Sequence, residues 1–267
     1  MPASVRMIGN YRLLRLLDEY VGCARYLAED VSTHTLVQIS LLAPPGRGRL
    51  NGALHLLNWL AGIEHPQIQG LFDIGEVSGC LYYTSEYLPA GSLRERHHPG
   101  AILPLELVRH YVQQIAQPLH YLHSLGAVYA SLRPENILVH AGNDLILSDF
   151  GLREYLFRLH FGDVIHPLFL RYTAPELLRG WRLPASDQYM LALLLYEWLS
   201  GAHPFDDTLQ ALSEAHLKKQ PPSLLEHMPL LPEAVDEVLQ IALAKDPMRR
   251  FASIRAFATA FEQACKA

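Results

Sequence analysis

One stretch, residues 129–151, constrains this chain more than any other. It reads Y-A-S-L-R-P-E-N-I-L-V, then a short polar turn, then L-I-L-S-D-F-G. Ile137-Leu138-Val139 and Leu145-Ile146-Leu147 are brief apolar runs on either side of the turn, the pattern of two short strands. A loop therefore leads into a strand, a turn and a second strand, and the second strand ends on Asp149-Phe150-Gly151.

The rest of the chain is able to build a core around that stretch. Hydrophobic residues make up 50% and charged residues 18% of 267 residues, which describes a globular chain rather than a disordered one. A formal charge of −5 argues against a general nucleic-acid or anionic-membrane surface. Cys23, Cys80 and Cys265 follow no metal or disulfide spacing, so a reduced, cytoplasmic setting is expected. The N-terminus lacks the apolar core of a signal peptide. The longest strongly apolar run, 190–199, holds Glu197 and is too short to span a bilayer. His97-His98 reads as a solvated loop rather than a metal site.

Residues 11–42 alternate as three strands, with turns expected at 18–21 and 30–35. A loop around Pro44-Pro45-Gly46 and Gly48 precedes a helix at 50–62, and two short strands follow. Leu105, Val108, Val112, Ile115, Leu119 and Leu122 recur at spacings of three and four, the stripe of a buried helix. Pro118 falls inside that helix, where proline costs about 3 kcal/mol unless the helix kinks. Residues 152–171 hold no Ser or Thr and many Leu and Phe side chains, which are expected to pack onto the protein rather than form an exposed docking patch. Further helices are predicted between Ser186-Asp187 and Gly201 and at about 208–219, 232–244 and 252–265.

P-E-N at 134–136, D-F-G at 149–151, A-P-E at 174–176 and D-P-M-R-R at 246–250 are each weak signals. In this order and spacing they resemble the eukaryotic-like, bacterial-type Ser/Thr protein kinase family, and the resemblance runs from about 11 to 265. It implies an α+β, bilobal protein kinase-like fold: a small mostly-β N-lobe with one main helix, about 11–88, and a larger mostly-α C-lobe, about 89–265. Together they form a single domain over 1–267. The resemblance also implies structural roles for Glu176 paired with Arg250, for Asp187 bracing the catalytic loop, and for Phe150 in the core. Asn136 and Asp149 fall where the family holds Mg²⁺ on ATP.

The departures are equally specific. The family's H-R-D is Tyr129-Ala130-Ser131 here, so Ser131 stands where the family's proton-accepting Asp would and that base is missing. The family's three phosphate-loop glycines fall on Asp18, Tyr20 and Cys23, and Gly22 is out of register. V-A-I-K becomes Val37-Gln38-Ile39-Ser40, and the glutamate that pairs with its lysine falls on Leu56. No lysine precedes Lys218; the first lobe offers only arginines, at 6, 12, 15, 25, 47 and 49. Arg25 and Gln38 occupy the adenine-facing positions and are expected to block the slot, with Arg25 meeting Asp149; the alternative is that both bend to solvent. The threonine facing the substrate hydroxyl falls near Phe169, and the gatekeeper position is Ser85. Losing both members of the lysine–glutamate pair is coherent, because an unpaired buried glutamate is costly.

These losses lead to the expectation of a catalytically inactive homologue, a pseudokinase and not an enzyme, acting as a protein-binding or regulatory module in signalling with no cofactor. The expected partner is a protein and not a nucleic acid. Two alternatives stay open: a nucleotide-binding pseudokinase, or a weakly active Ser/Thr kinase, either using Asn136 and Asp149 for ATP with Mg²⁺.

Overall fold

The computed structural model describes residues 7–43, 51–162, 167–205 and 208–267; the expected loop at 44–48 lies outside them. In chain order the elements begin with β1 (Met7–Ile8), β2 (Tyr11–Tyr20), β3 (Cys23–Asp30), β4 (Thr35–Leu42) and α1 (Asn51–Ala61). They continue with β5 (Leu71–Val77), β6 (Cys80–Glu86), α2 (Leu93–Arg96), α3 (Leu105–Ser124), β7 (Ile137–Val139) and β8 (Leu145–Leu147). The last are α4 (Leu152–Phe161), α5 (Pro167–Leu170), α6 (Pro184–Ser200), α7 (Leu209–Lys218), α8 (Glu233–Ala242) and α9 (Ile254–Ala264). Packing divides the chain into two compact units: Met1–Pro89 with Gly151–His166, and Ala90–Phe150 with Pro167–Ala267.

The first unit is an antiparallel sheet in the order β1-β2-β3-β4-β6-β5. Side chains alternate along β4, so Val37 and Ile39 enter a core with Ile8, Tyr11 and Ala28. Leu42 enters the opposite core, with Cys23, Leu81 and Tyr83. Two register shifts, between Leu13 and Arg15 and between Leu16 and Asp18, carry β2 through Tyr20. The turn expected at 18–21 therefore lies at 21–22, where Gly22 has φ +68°.

The second core of this unit takes in two helices. Ala53 and Leu57 of α1 and Leu152 and Leu156 of α4 join Leu42, Leu81 and Tyr83, with Leu56, Tyr155 and Leu159 packed around them. Leu152, Leu156 and Phe157 after D-F-G thus pack inward, on a helix whose last residue, Phe161, is exposed. Its close approach explains Gly52: a Cβ there would meet the Tyr155 side chain.

The second unit is helical. Within α6 every residue from Ser186 to Leu199 is buried, as expected of a helix that is apolar all round. It packs with α3, α8 and α9. The α3 stripe lies as predicted, and the helix runs unbroken through a buried Pro118, for which the structure offers no role. The β7–β8 hairpin pairs Ile137 with Leu147 and Val139 with Leu145, presenting the loop before it and the D-F-G after it. Among the described residues no helix is long and apolar enough to cross a membrane.

Candidate active site

In the helical unit the loop at 129–136 hangs from one buried carboxylate. Asp187 Oδ2 accepts the Tyr129 N–H at 3.1 Å, Oδ1 accepts the Ala130 N–H at 2.7 Å, and His123 Nε2 lies 2.7 Å from Oδ2. Asp187 sits in the first turn of α6, where a carboxylate suits the helix dipole. Tyr129 is buried in the family's histidine position; its hydroxyl donates to the Ser148 carbonyl at 2.6 Å, and its ring meets Phe150 edge-on at 5.2 Å. Burial first, and then the Asp149 charge, push this phenol well above its usual range, so it stays a donor.

Asn136 is the hinge of the site. Its Nδ2 donates to the Ser131 carbonyl at 2.9 Å, to Ser131 Oγ at 2.8 Å and to Asp149 Oδ2 at 3.3 Å. Ser131, in the proton-acceptor position, is buried beside it and carries no anionic oxygen. Backbone conformation holds the group: Ala130, Asp149 and Phe150 have φ of 50°, 69° and 50°, values uncommon outside glycine. Such residues cost about 1–3 kcal/mol each and persist where their surroundings hold them, here the Asp187 brace and the Tyr129–Phe150 contact.

The sequence reading passed over Arg133. Its Nη2 lies 3.6 Å from Asp149 Oδ2, and its guanidinium stacks 4.5 Å from the centre of the Phe169 ring. Both Arg133 and Asp149 side chains are nearly buried, at 7% and 5% exposure. Its Nε is buried without a hydrogen-bond partner among the described residues. The available signal was its place, two residues beyond Ser131 in a loop otherwise in register with the family. Glu176 and Arg250 form a buried two-pronged ion pair at 2.7 and 2.9 Å, with Ser186 Oγ donating to Glu176 at 2.8 Å.

The positions in the first unit are arranged separately. Ser40 is fully buried and its hydroxyl has no hydrogen-bond partner among the described residues; Gln38 is 9% exposed on the same strand, directly opposite Ser85. Leu56 packs against the apolar core of α1 and α4, where a glutamate would have to bury its charge. Arg25 pairs with Asp18, and Arg153 of α4 reaches the same carboxylate. Burial alone would raise the Asp18 carboxyl, but Arg25 and then Arg153 outweigh it and hold it at about 2.

The oxygen donors of Asn136 and Asp149 fit a hard divalent cation. Mg²⁺ is held by one or two side-chain oxygens, with phosphate and water completing its shell. Among the described residues no group of three His, Cys, Asp or Glu gathers as a metal site, so a protein-only cage is not the form offered.

The protein kinase domain family matches residues 51–263. Serine/threonine-protein kinase PrkC of Bacillus subtilis is 28% identical over 260 residues, 94% of this chain and 40% of the relative. PknD of Mycobacterium tuberculosis, named a serine/threonine-protein kinase, is 31% identical over 266 residues, 95% of this chain and 39% of the relative. PknJ of the same organism, likewise named, is 32% identical over 211 residues, covering 75% and 35%. The chain thus spans about two fifths of the length of the curated relatives it matches.

Two expectations are corrected by these matches. That the chain is not an enzyme, and that it takes no cofactor, do not stand beside relatives named as serine/threonine-protein kinases. Physically, the departures at Ser40, Leu56 and Ser131 leave Asn136 against Asp149, with the cation Arg133 nearby. A helical lobe built around that loop, and a family match across most of the sequence, place this chain in the protein kinase domain family.

Proposed function

We propose that this chain is a Mg-ATP-dependent Ser/Thr protein kinase of low turnover, with Asn136 and Asp149 holding the metal. One observation carries the reading: the buried 3.3 Å contact between Asn136 and Asp149, flanked by Arg133 at 3.6 Å. Phosphoryl transfer asks little covalent chemistry of a protein and depends mainly on positioning and charge. Bound Mg²⁺ supplies neutralisation of the phosphate charge. Asn136, through its amide oxygen, and Asp149, through its carboxylate, would hold that cation. Arg133, fixed by stacking on Phe169, adds positive charge where the transferred group passes.

Ser131 orients a hydroxyl through its hydrogen bond with Asn136 but takes no proton near neutral pH. A missing general base lowers the rate by about 10²–10⁴, so slow turnover follows. The acceptor is a hydroxyl on a protein, and the same surface serves a protein partner held without rapid turnover.

The test is radiolabelled phosphate transfer from ATP with Mg²⁺, to the chain itself and to a generic protein substrate. Slow incorporation that Asp149→Ala abolishes is expected, together with a rise in melting temperature with Mg-ATP. The absence of both incorporation and a thermal shift at millimolar Mg-ATP would overturn the proposal. So would incorporation that Asp149→Ala leaves intact.

A further inference from the structure

The missing strand lysine leaves a question of charge: what meets the phosphates on the sheet. Asp18 lies directly opposite Arg25 across β2 and β3, and Arg25 lies directly opposite Ser40 across β3 and β4. Directly opposed residues of antiparallel strands project from the same face, with Cβ atoms about 4.5–5.5 Å apart. Asp18, Arg25 and Ser40 therefore form one row on one face. It runs from the position of the first phosphate-loop glycine to that of the phosphate-holding lysine. The positive charge absent from Ser40 stands one strand away.

A second arginine joins the row from a distant part of the chain. Arg25 Nε donates to Asp18 Oδ1 at 2.8 Å, and its Nη2 pairs with Oδ2. Arg153, in the first turn of α4, donates from Nη2 to the same Oδ2 at 2.6 Å. The docking of Leu152 and Leu156 in the core brings it there. Two guanidinium groups thus converge on one carboxylate. Their side chains are 18% and 14% exposed and that of Asp18 is 36% exposed, so the trio is partly screened from water but reachable. The end of the row is polar and buried: Ser40 Oγ has no hydrogen-bond partner among the described residues.

We propose that Arg25 and Arg153 together are the phosphate-holding cations of this chain, with Asp18 as the internal anion that keeps both guanidiniums in place. The ligand class is the polyphosphate of a nucleoside triphosphate, which rests on the reading given under Proposed function. Guanidinium suits the task because its planar fork binds phosphate through two parallel hydrogen bonds. Phosphate oxygens compete with the Asp18 carboxylate for these donors. Asp18 therefore weakens binding while it pre-orders the site.

The experiment is calorimetric titration of the full chain with Mg-ATP and, separately, with inorganic tripolyphosphate. The variants are Arg25→Met, Arg153→Met, Arg25→Lys, Arg153→Lys and Asp18→Asn, with circular dichroism melts to show that each is folded. Each methionine variant is expected to lose about tenfold or more in affinity for both ligands, the scale of a charged hydrogen bond. Each lysine variant should keep part of that affinity, and Asp18→Asn should bind more tightly than the parent. Unchanged Mg-ATP affinity in folded methionine or lysine variants would overturn the inference and leave the Mg-ATP reading standing. Arginine-dependent tripolyphosphate binding that adenosine does not improve would support the inference and count against the nucleotide. No binding of either ligand by the parent chain at millimolar concentration would overturn both.

Discussion

Leu156 tests whether α4 is part of the first unit's core or merely lies on it. Its side chain is 0% exposed and sits with Leu42, Leu57, Leu81 and Tyr83. Leu156→Ala removes three carbons, worth about 0.8 kcal/mol each in transfer from water, or roughly 2.4 kcal/mol. The cavity left among fixed neighbours adds about 24 cal/mol per Å³, bringing the total to about 3–4 kcal/mol. Since about 1.4 kcal/mol is a factor of ten, the equilibrium for undocking α4 rises by roughly two orders of magnitude. Hydrogen exchange by mass spectrometry over 152–162 reads that change locally, and urea unfolding reads whatever part is global. Exchange in α4 should accelerate about a hundredfold relative to β7–β8, or the urea midpoint should fall at constant slope by the equivalent amount. Exchange altered less than about fivefold with an unmoved urea midpoint refutes the packing argument. With it would go the reason that Arg153 stays beside Asp18.

Two further outcomes follow from the helical unit. Glu176→Gln leaves the fully buried Arg250 charge without its partner and is expected to cost about 3–5 kcal/mol. Adding Arg250→Met should return at least about 2 kcal/mol of that loss in a double-mutant cycle by urea unfolding; simple additivity would contradict the coupling. Burial, then Arg171 and His216, hold His203 at about 3, and burial, then Lys245, hold His216 at about 3. Both are neutral in the fold and gain protons more readily when unfolded. The contribution of these two histidines to stability is therefore full above pH ~6.5 and falls as pH drops from there toward 3, by at most about 1.4 kcal/mol per pH unit per histidine. His216→Leu should roughly halve that slope in melts between pH 8 and 5, whatever it does to stability at pH 8; an unchanged slope would show that His216 is not its source.

Much of the fold was legible because its signals are local. Alternation along β3 and β4, the three-and-four spacing along α3, and the apolar run of α6 each report a buried face that the residues themselves demand. The stretch at 149–151 was recognisable, but not its backbone. Phe150 holds φ 50° against an aromatic side chain's preference, because Tyr129 packs against it from twenty-one residues away. The turn after β2 was misplaced because two bulges shift the alternation that would have located it.

By itself the sequence determined which reacting groups this chain lacks: Ser40, Leu56 and Ser131 are facts of composition at fixed positions. The opposition of Arg25 to Ser40 was also within reach, by counting outward from the Asp30–Thr35 pair of the β3–β4 hairpin. Only the tertiary structure decided what stands near those losses. Arg153 meets Asp18 across 135 residues of chain, and no local preference encodes that meeting. It depends on α4 burying Leu152 and Leu156 in the first unit's core, where apolar packing rather than charge sets the helix's position and brings a guanidinium to the row that ends at Ser40.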